Sequence, residues 1–209
     1  MILTYLGHQA FKIQFGDLTI AIDPPSKDSS FKSSKFGADI VLQSVHHEDM
    51  NGGKDLAFGE RAPFVISGPG EYETKDIFIK GVAGTTGYDG EKRINTIYSF
   101  TVDGISMLYL GAQEGAIPAS VADIIDSVDL LFVPIGGKGV YDAKEAYKVA
   151  MNLEPKMIIP MHFKDVKDET LKLFMKEAGA TLSPQDKLTI KRKDLENKEG
   201  EVIILLPQA

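Results

Sequence analysis

The side chains best suited to hold a metal or move a proton near neutral pH are four histidines, His8, His46, His47 and His162. The densest group of donors is His46-His47-Glu48-Asp49. Neighbouring side chains in an extended segment point to opposite faces, so His47 and Asp49 are expected to share one face, with His46 and Glu48 on the other. His162 follows the apolar run Ile158-Ile159-Pro160-Met161 and is the best candidate for a third ligand. Two imidazoles and a carboxylate suit zinc or iron, and metal hydrolysis needs a further position left to water. A His-His-Glu-Asp run also reads as an ordinary polar loop, and spacing alone leaves both readings open.

Other chemistries find less support. The chain has no cysteine, which removes disulfides, thiolate metal sites and thiol nucleophiles. Gly136-Gly137-Lys138-Gly139 lacks the spacing of a phosphate loop, and Val140 stands where its hydroxyl would be. A turn at a sheet edge is expected there, with Lys138 facing solvent or an acidic ligand. No serine lies in a Gly-x-Ser-x-Gly elbow. Asp23, at a strand end before Pro24, either orients a histidine or caps its own turn. The mixed-sign run Gly87 to Arg93 reads as a solvated loop.

These residues must be carried by strands with a few helices between them. Leu3 to Phe15 and Leu18 to Ile22 read as a hairpin with Phe11, Ile13 and Phe15 on its buried side. Lys27 to Lys35 reads as a surface loop. Ala38 to Leu42 and Leu130 to Pro134 are apolar runs of the kind found in strands covered on both faces. Glu71 to Ile79 alternates weakly, with Tyr72 and Phe78 inward. Ile94 to Val102 and Ile105 to Leu110 form a hairpin turning at Asp103-Gly104. Ile117 to Ile125 has a partial helical period. Asp142 to Leu153 and Asp168 to Ala178 are the amphipathic helices. Met157 to Pro160, Leu188 to Lys191 and Val202 to Leu206 complete the strands. This order favours an α/β sandwich of two mixed sheets with helices outside.

The chain has 209 residues with no repeat or linker, so 1–209 reads as one domain. Asp plus Glu number 30 against 23 Lys plus Arg, a net charge of -7, which disfavours a nucleic-acid partner. The apolar runs are too short to cross a bilayer, and the first residues do not read as a signal peptide, so a cytoplasmic protein without a membrane partner is expected.

Several blocks match a known family. Tyr5-Leu6-Gly7-His8, Ile20 to Pro24, Ala38 to Leu42, Phe64 to Glu73, Asn95 to Tyr98, Leu110-Gly111, Val133 to Gly137 and Ile159 to Phe163 together resemble the metallo-beta-lactamase-fold superfamily. The closer likeness is to its L-ascorbate-6-phosphate-lactonase-like branch of predicted zinc-dependent hydrolases. The resemblance implies a four-layer αβ/βα sandwich made of two αβ halves, and a two-metal site. The ligand signature of that site is incomplete here. Aligned without a gap, its histidines and aspartates fall on Val45, His47, Asp49, Met50, Thr86, Ala112 and His162. His47, Asp49 and His162 remain, and a shifted alignment would substitute His46. Valine and alanine offer no donor, and a thioether is a weak one.

The resemblance therefore implies a degenerate metal site, no bound cofactor and no two-metal hydrolysis. Two alternatives stay open. One zinc, manganese or iron ion on His47, Asp49 and His162 would give a mononuclear hydrolase of a lactone, ester or phosphoester. Otherwise the converted edge, with His8, Asp23, Gly136, Gly137 and Lys138 around it, would bind a small anionic molecule or a second copy of the chain.

Overall fold

The computed structural model describes residues 1–32, 35–59 and 62–208. The chain opens with β1 (Ile2–Gly7), β2 (Ala10–Phe15), β3 (Leu18–Ile22), β4 (Ile40–Leu42) and β5 (Phe64–Ile66). It continues with β6 (Gly70–Thr74), β7 (Ile77–Thr86), β8 (Arg93–Val102), β9 (Ile105–Tyr109) and β10 (Leu130–Pro134). Helix α1 (Ala143–Leu153), β11 (Met157–Met161) and α2 (Glu169–Glu177) follow. Four two-residue strands end it: β12 (Pro184–Gln185), β13 (Leu188–Thr189), β14 (Glu201–Val202) and β15 (Ile204–Leu205).

Two sheets form. One has the order β13-β1-β2-β3-β4-β5 and the other β14-β11-β10-β9-β8-β7-β6, with β12 and β15 as a separate parallel pair. Hairpins give antiparallel pairing through β1, β2 and β3, and again from β6 to β9. The apolar runs β4, β10 and β11 pair in parallel with their neighbours and are buried along their whole lengths. One core cluster draws on both sheets, from Leu3, Phe11 and Ile22 to Tyr98, Phe132 and Ile159. Helices α1 and α2 pack together, with the Tyr147 and Phe174 rings 6.2 Å apart, and α1 lies against β10. The first sheet is covered more thinly: Leu56, in the 3-10 turn Gly52–Leu56, packs with Ala21 and Val41.

Local chemistry sets the ends of these elements. The Asp142 carboxylate accepts from the amides of Lys144 and Glu145, while Glu145 accepts from the amide of Asp142, a capping box that starts α1. Asp103-Gly104 turns β8 into β9 with both residues at positive φ, as expected for a two-residue hairpin loop. Lys75-Asp76 does the same between β6 and β7, so the weakly alternating stretch from Glu71 is a second hairpin.

That hairpin corrects one core assignment. Phe78 is 65% exposed, because Ile77 and Ile79 take the inward face of β7. Tyr72 is half-buried against the core. Phe15, the last residue of β2, is 43% exposed where its hairpin reaches solvent. The helical period at Ile117 to Ile125 yields only a 3-10 turn, Ala119–Asp123, in which Val121 alone is buried, while Ile117 and Ile125 on either side are partly buried against the core. Within the loop Lys27 to Lys35, Ser33 and Ser34 lie outside the described residues. Among the described residues no helix is long and apolar enough to cross a membrane.

Candidate functional site

The ends of β1 and β11 meet at one edge of the sandwich. His8 follows β1 and His162 follows β11, both with left-handed backbones at φ 54° and 65°. The amide of His162 donates to the carbonyl of His8 at 2.6 Å, and the Tyr5 hydroxyl donates to the same carbonyl at 2.7 Å. The two imidazole centroids are thereby held 4.4 Å apart. Gly136, in the loop after β10, permits this: a Cβ there would meet Cδ2 of His162 at 2.3 Å. Burial keeps both rings neutral. It drives His8 down to about 2, with His162 and His47 adding to the shift, and His162 down to about 4 against the opposing pull of Asp168 and Asp49.

His47 and Asp49 lie in the turn after β4 and face the same space, with Nδ1 and Oδ2 3.4 Å apart. His46 and Glu48 are exposed and line a different depression. Tyr88 stands between His47, Asp49 and the histidine pair. Its hydroxyl donates to Asp49 Oδ2 at 2.7 Å, and its ring centroid lies 5.0 Å from that of His47, 5.5 Å from His8 and 5.7 Å from His162.

Several donor atoms of this group are already engaged, while Nε2 of His47 and Nε2 of His162 make no hydrogen bond among the described residues. Asp49 accepts from Tyr88 on one oxygen and from the Ser29 hydroxyl on the other. Nδ1 of His47 accepts from the amide of Asp49 at 3.2 Å. Nδ1 of His162 lies 3.0 Å from the amide nitrogen of buried Gln9. The one Tyr88 proton goes to Asp49, so the 3.2 Å contact with Nε2 of His8 requires that nitrogen to carry its own proton. Nδ1 of His8 is then an acceptor, buried and without a partner among the described residues. No three His, Asp or Glu side chains among the described residues come together as ligands of one ion.

The donor-free positions form a structure of their own. Val45, Met50, Ala112 and Val140 are buried in one apolar cluster, with Tyr88 packed against it. Asn95 fastens the Ala112 segment by accepting from its amide at 2.9 Å and donating to the carbonyl of Leu110. The Thr86 hydroxyl donates to the carbonyl of Gly139 and accepts from the amide of Tyr88, which fixes the turn presenting that ring.

Asp23 takes neither of the two expected roles: among the described residues no histidine and no amide of its own turn donates to its carboxylate. Its carboxylate accepts from the Ser44 amide and hydroxyl and from the Tyr109 hydroxyl, all within 2.6 Å. It is fully buried below the site, and burial, opposed by those three donors, pushes it up to about 7. Gly136 lines the cavity at the site, but Gly137 and Lys138 do not, and Lys138 is exposed. Sequence reasoning missed Tyr88, Ser29, Gln9 and Asn95. Asn95 entered only as part of a matched block, and Tyr88 fell in the run Gly87 to Arg93 that was read as a solvated loop; its ring instead packs into the site.

Residues 2–162 match the Beta-lactamase superfamily domain. A UPF0173 metal-dependent hydrolase of Carboxydothermus hydrogenoformans is 26% identical over 78% of this chain and 84% of its own. One of Pyrococcus furiosus is 26% identical over 77% and 84%. A Thermotoga maritima crystal structure, described as a candidate Zn-dependent hydrolase of the metallo-beta-lactamase superfamily, superposes with a TM-score of 0.75 at 28% identity. That match covers 98% of this chain and 97% of that one. The metallo hydrolase Igni18 of Ignicoccus hospitalis shares the fold, with a TM-score of 0.63 and 20% identity over 99% and 95% of the two chains.

Two outcomes follow from the geometry. Tyr88→Phe leaves Asp49 with one buried oxygen unmet and is expected to destabilise the fold by about 1–3 kcal/mol in urea unfolding. The raised Asp23 carboxyl makes the folded state bind more protons than the unfolded chain from about pH 4 to about pH 7. Stability from this group is full below that window and falls as pH rises through it. Asp23→Asn is expected to flatten that part of the stability–pH curve, read from denaturation midpoints.

Proposed function

The chain belongs to the beta-lactamase superfamily, and we propose that it is a metal-free member whose converted site binds a small molecule instead of hydrolysing one. The observation that carries this reading is the cluster of Val45, Met50, Ala112 and Val140 with Tyr88 against it. The family's cation pair needs donors on several of these positions, and Val45, Met50 and Ala112 supply no strong one. The pair therefore does not fit the residues present. A cation brought to Nε2 of His47 and His162 would have to compete with Tyr88 and Ser29 for the oxygens of Asp49, and no full ligand set stands behind these three residues.

The names of the relatives favour a second reading, a mononuclear metal-dependent hydrolase using His47, Asp49 and His162. It requires Tyr88 to withdraw from Asp49. The two readings differ in what added metal does to the protein.

Protein purified without chelator is expected to contain well under one equivalent of zinc by elemental analysis, and EDTA is expected to leave its Tm unchanged. Lactones, esters and phosphodiesters should show no turnover with added zinc, manganese or iron. One tightly held equivalent together with turnover would establish the mononuclear enzyme, and two would overturn the degenerate site. The combined variant Val45→His, Met50→His, Ala112→Asp restores donors and is expected to gain zinc binding, at a cost in metal-free stability from polar groups set into an apolar cluster.

A further inference from the structure

We propose that Asp23 is a positioning residue for the site: acting through the hydroxyl of Tyr109, its protonation decides how firmly Gln9 seats His162. The Tyr109 hydroxyl lies 2.6 Å from Oδ2 of Asp23 and 2.9 Å from the carbonyl oxygen of Gln9. Both neighbours are acceptors when Asp23 is ionised, and a phenol has one hydrogen. An ionised Asp23 takes that hydrogen, which leaves the Gln9 carbonyl without a donor among the described residues. A protonated Asp23 donates from Oδ2 to the Tyr109 oxygen instead and frees the phenol hydrogen for Gln9. The Ser44 amide still donates to Oδ1, and the Ser44 hydroxyl to Oδ2. Every polar group from Ser44 to the Gln9 carbonyl is then met, so the protonated acid is the form that satisfies these distances.

Gln9 is the member of this relay with nothing in reserve. It is fully buried, and its carbonyl has Tyr109 alone, whereas the His8 carbonyl beside it has both the Tyr5 hydroxyl and the His162 amide. Its side-chain nitrogen lies 3.0 Å from Nδ1 of His162. The two buried side-chain atoms without a partner among the described residues, Nδ1 of His8 and Oε1 of Gln9, belong to this same corner. A third acceptor stripped of its donor there shifts the backbone or draws in water. Asp23 itself cannot follow: its amide donates to the Leu42 carbonyl at 2.8 Å, and two prolines come after it. Gln9 therefore gives way, and the seat of His162 goes with it.

The surroundings leave Asp23 as the group that changes charge. It faces Ser44 after β4, Tyr109 on β9 and Tyr98 on β8, with Tyr5 of β1 beyond Tyr109. None of these is a cation, and Asp23 is in no ion pair among the described residues. Burial holds all three phenols above their usual range, so they stay protonated while the carboxyl titrates.

The relay acts on the protein's own residues, so its test needs no ligand. Protein labelled at aspartate carboxyls, glutamine side chains and backbone amides is titrated by NMR from about pH 5 to about pH 9. The Asp23 carboxyl carbon, the Gln9 side-chain amide and the His162 backbone amide are expected to shift with one midpoint, at about 7. Above it the His162 amide should lose about tenfold in hydrogen-exchange protection relative to the amides of β10. Asp23→Asn, whose amide can donate to Tyr109 at any pH, should hold Gln9 and His162 at their low-pH shifts. Tyr109→Phe should let the carboxyl titrate while Gln9 no longer follows. In the unaltered protein, an Asp23 carboxyl that does not titrate in this range, or titrates while Gln9 and His162 stay still, overturns the inference. So does a His162 amide whose protection changes only as that of β10 does, or a Gln9 step that survives either substitution.

Discussion

A carboxylate shut away from water at a protein's edge must find positive charge or hydrogen-bond donors. Asp49 is that carboxylate here, 8% exposed beneath the rings of the site. Its two oxygens are met by two hydroxyls from distant parts of the chain, Ser29 ahead of β4 and Tyr88 after β7. Three separate segments are tied to one point in this way, and the Ser29 loop, the Tyr88 turn and the histidine pair take their places around it.

The apolar cluster beside Asp49 answers the same constraint from the other side. Removing strong donors from one side of a site while keeping them on the other would leave unmatched charge facing empty space. Val45, Met50, Ala112 and Val140 fill that side with carbon and sulfur, and the Tyr88 ring bridges from them to the polar half. Apolar packing requires shape and no counterion, so this half of the site is self-sufficient.

The fold was largely legible because its signals are local. Unbroken apolar runs marked β4, β10 and β11, the turn Asp103-Gly104 marked one hairpin, and an amphipathic period marked α1 and α2. Phe78 was misplaced because a two-residue turn without glycine, Lys75-Asp76, reset the inward face of its strand. The site was legible only in part. His47 and Asp49 share one space as alternation led one to expect, but in a turn instead of an extended segment, and the histidines at strand ends follow from their position after apolar runs. Tyr88 could not be placed, since its role depends on Thr86 and Gly139 meeting across the loops, a contact that leaves no mark on spacing. Asp23 was ambiguous for the same reason: its partners Ser44 and Tyr109 are remote in sequence.

The bond from the His162 amide to the His8 carbonyl joins the first strand to one completed near the end of synthesis. On the ribosome, β1 to β3 can pair as soon as they emerge, because their partners are neighbours, whereas the edge that carries His8 must wait until β11 is made. Nascent chains therefore pass through a stage in which Tyr5 and Phe11 still lack the second sheet that will bury them. The order of translation leaves this edge open until β11 is made, with only α2 and the short strands β12 to β15 still to follow.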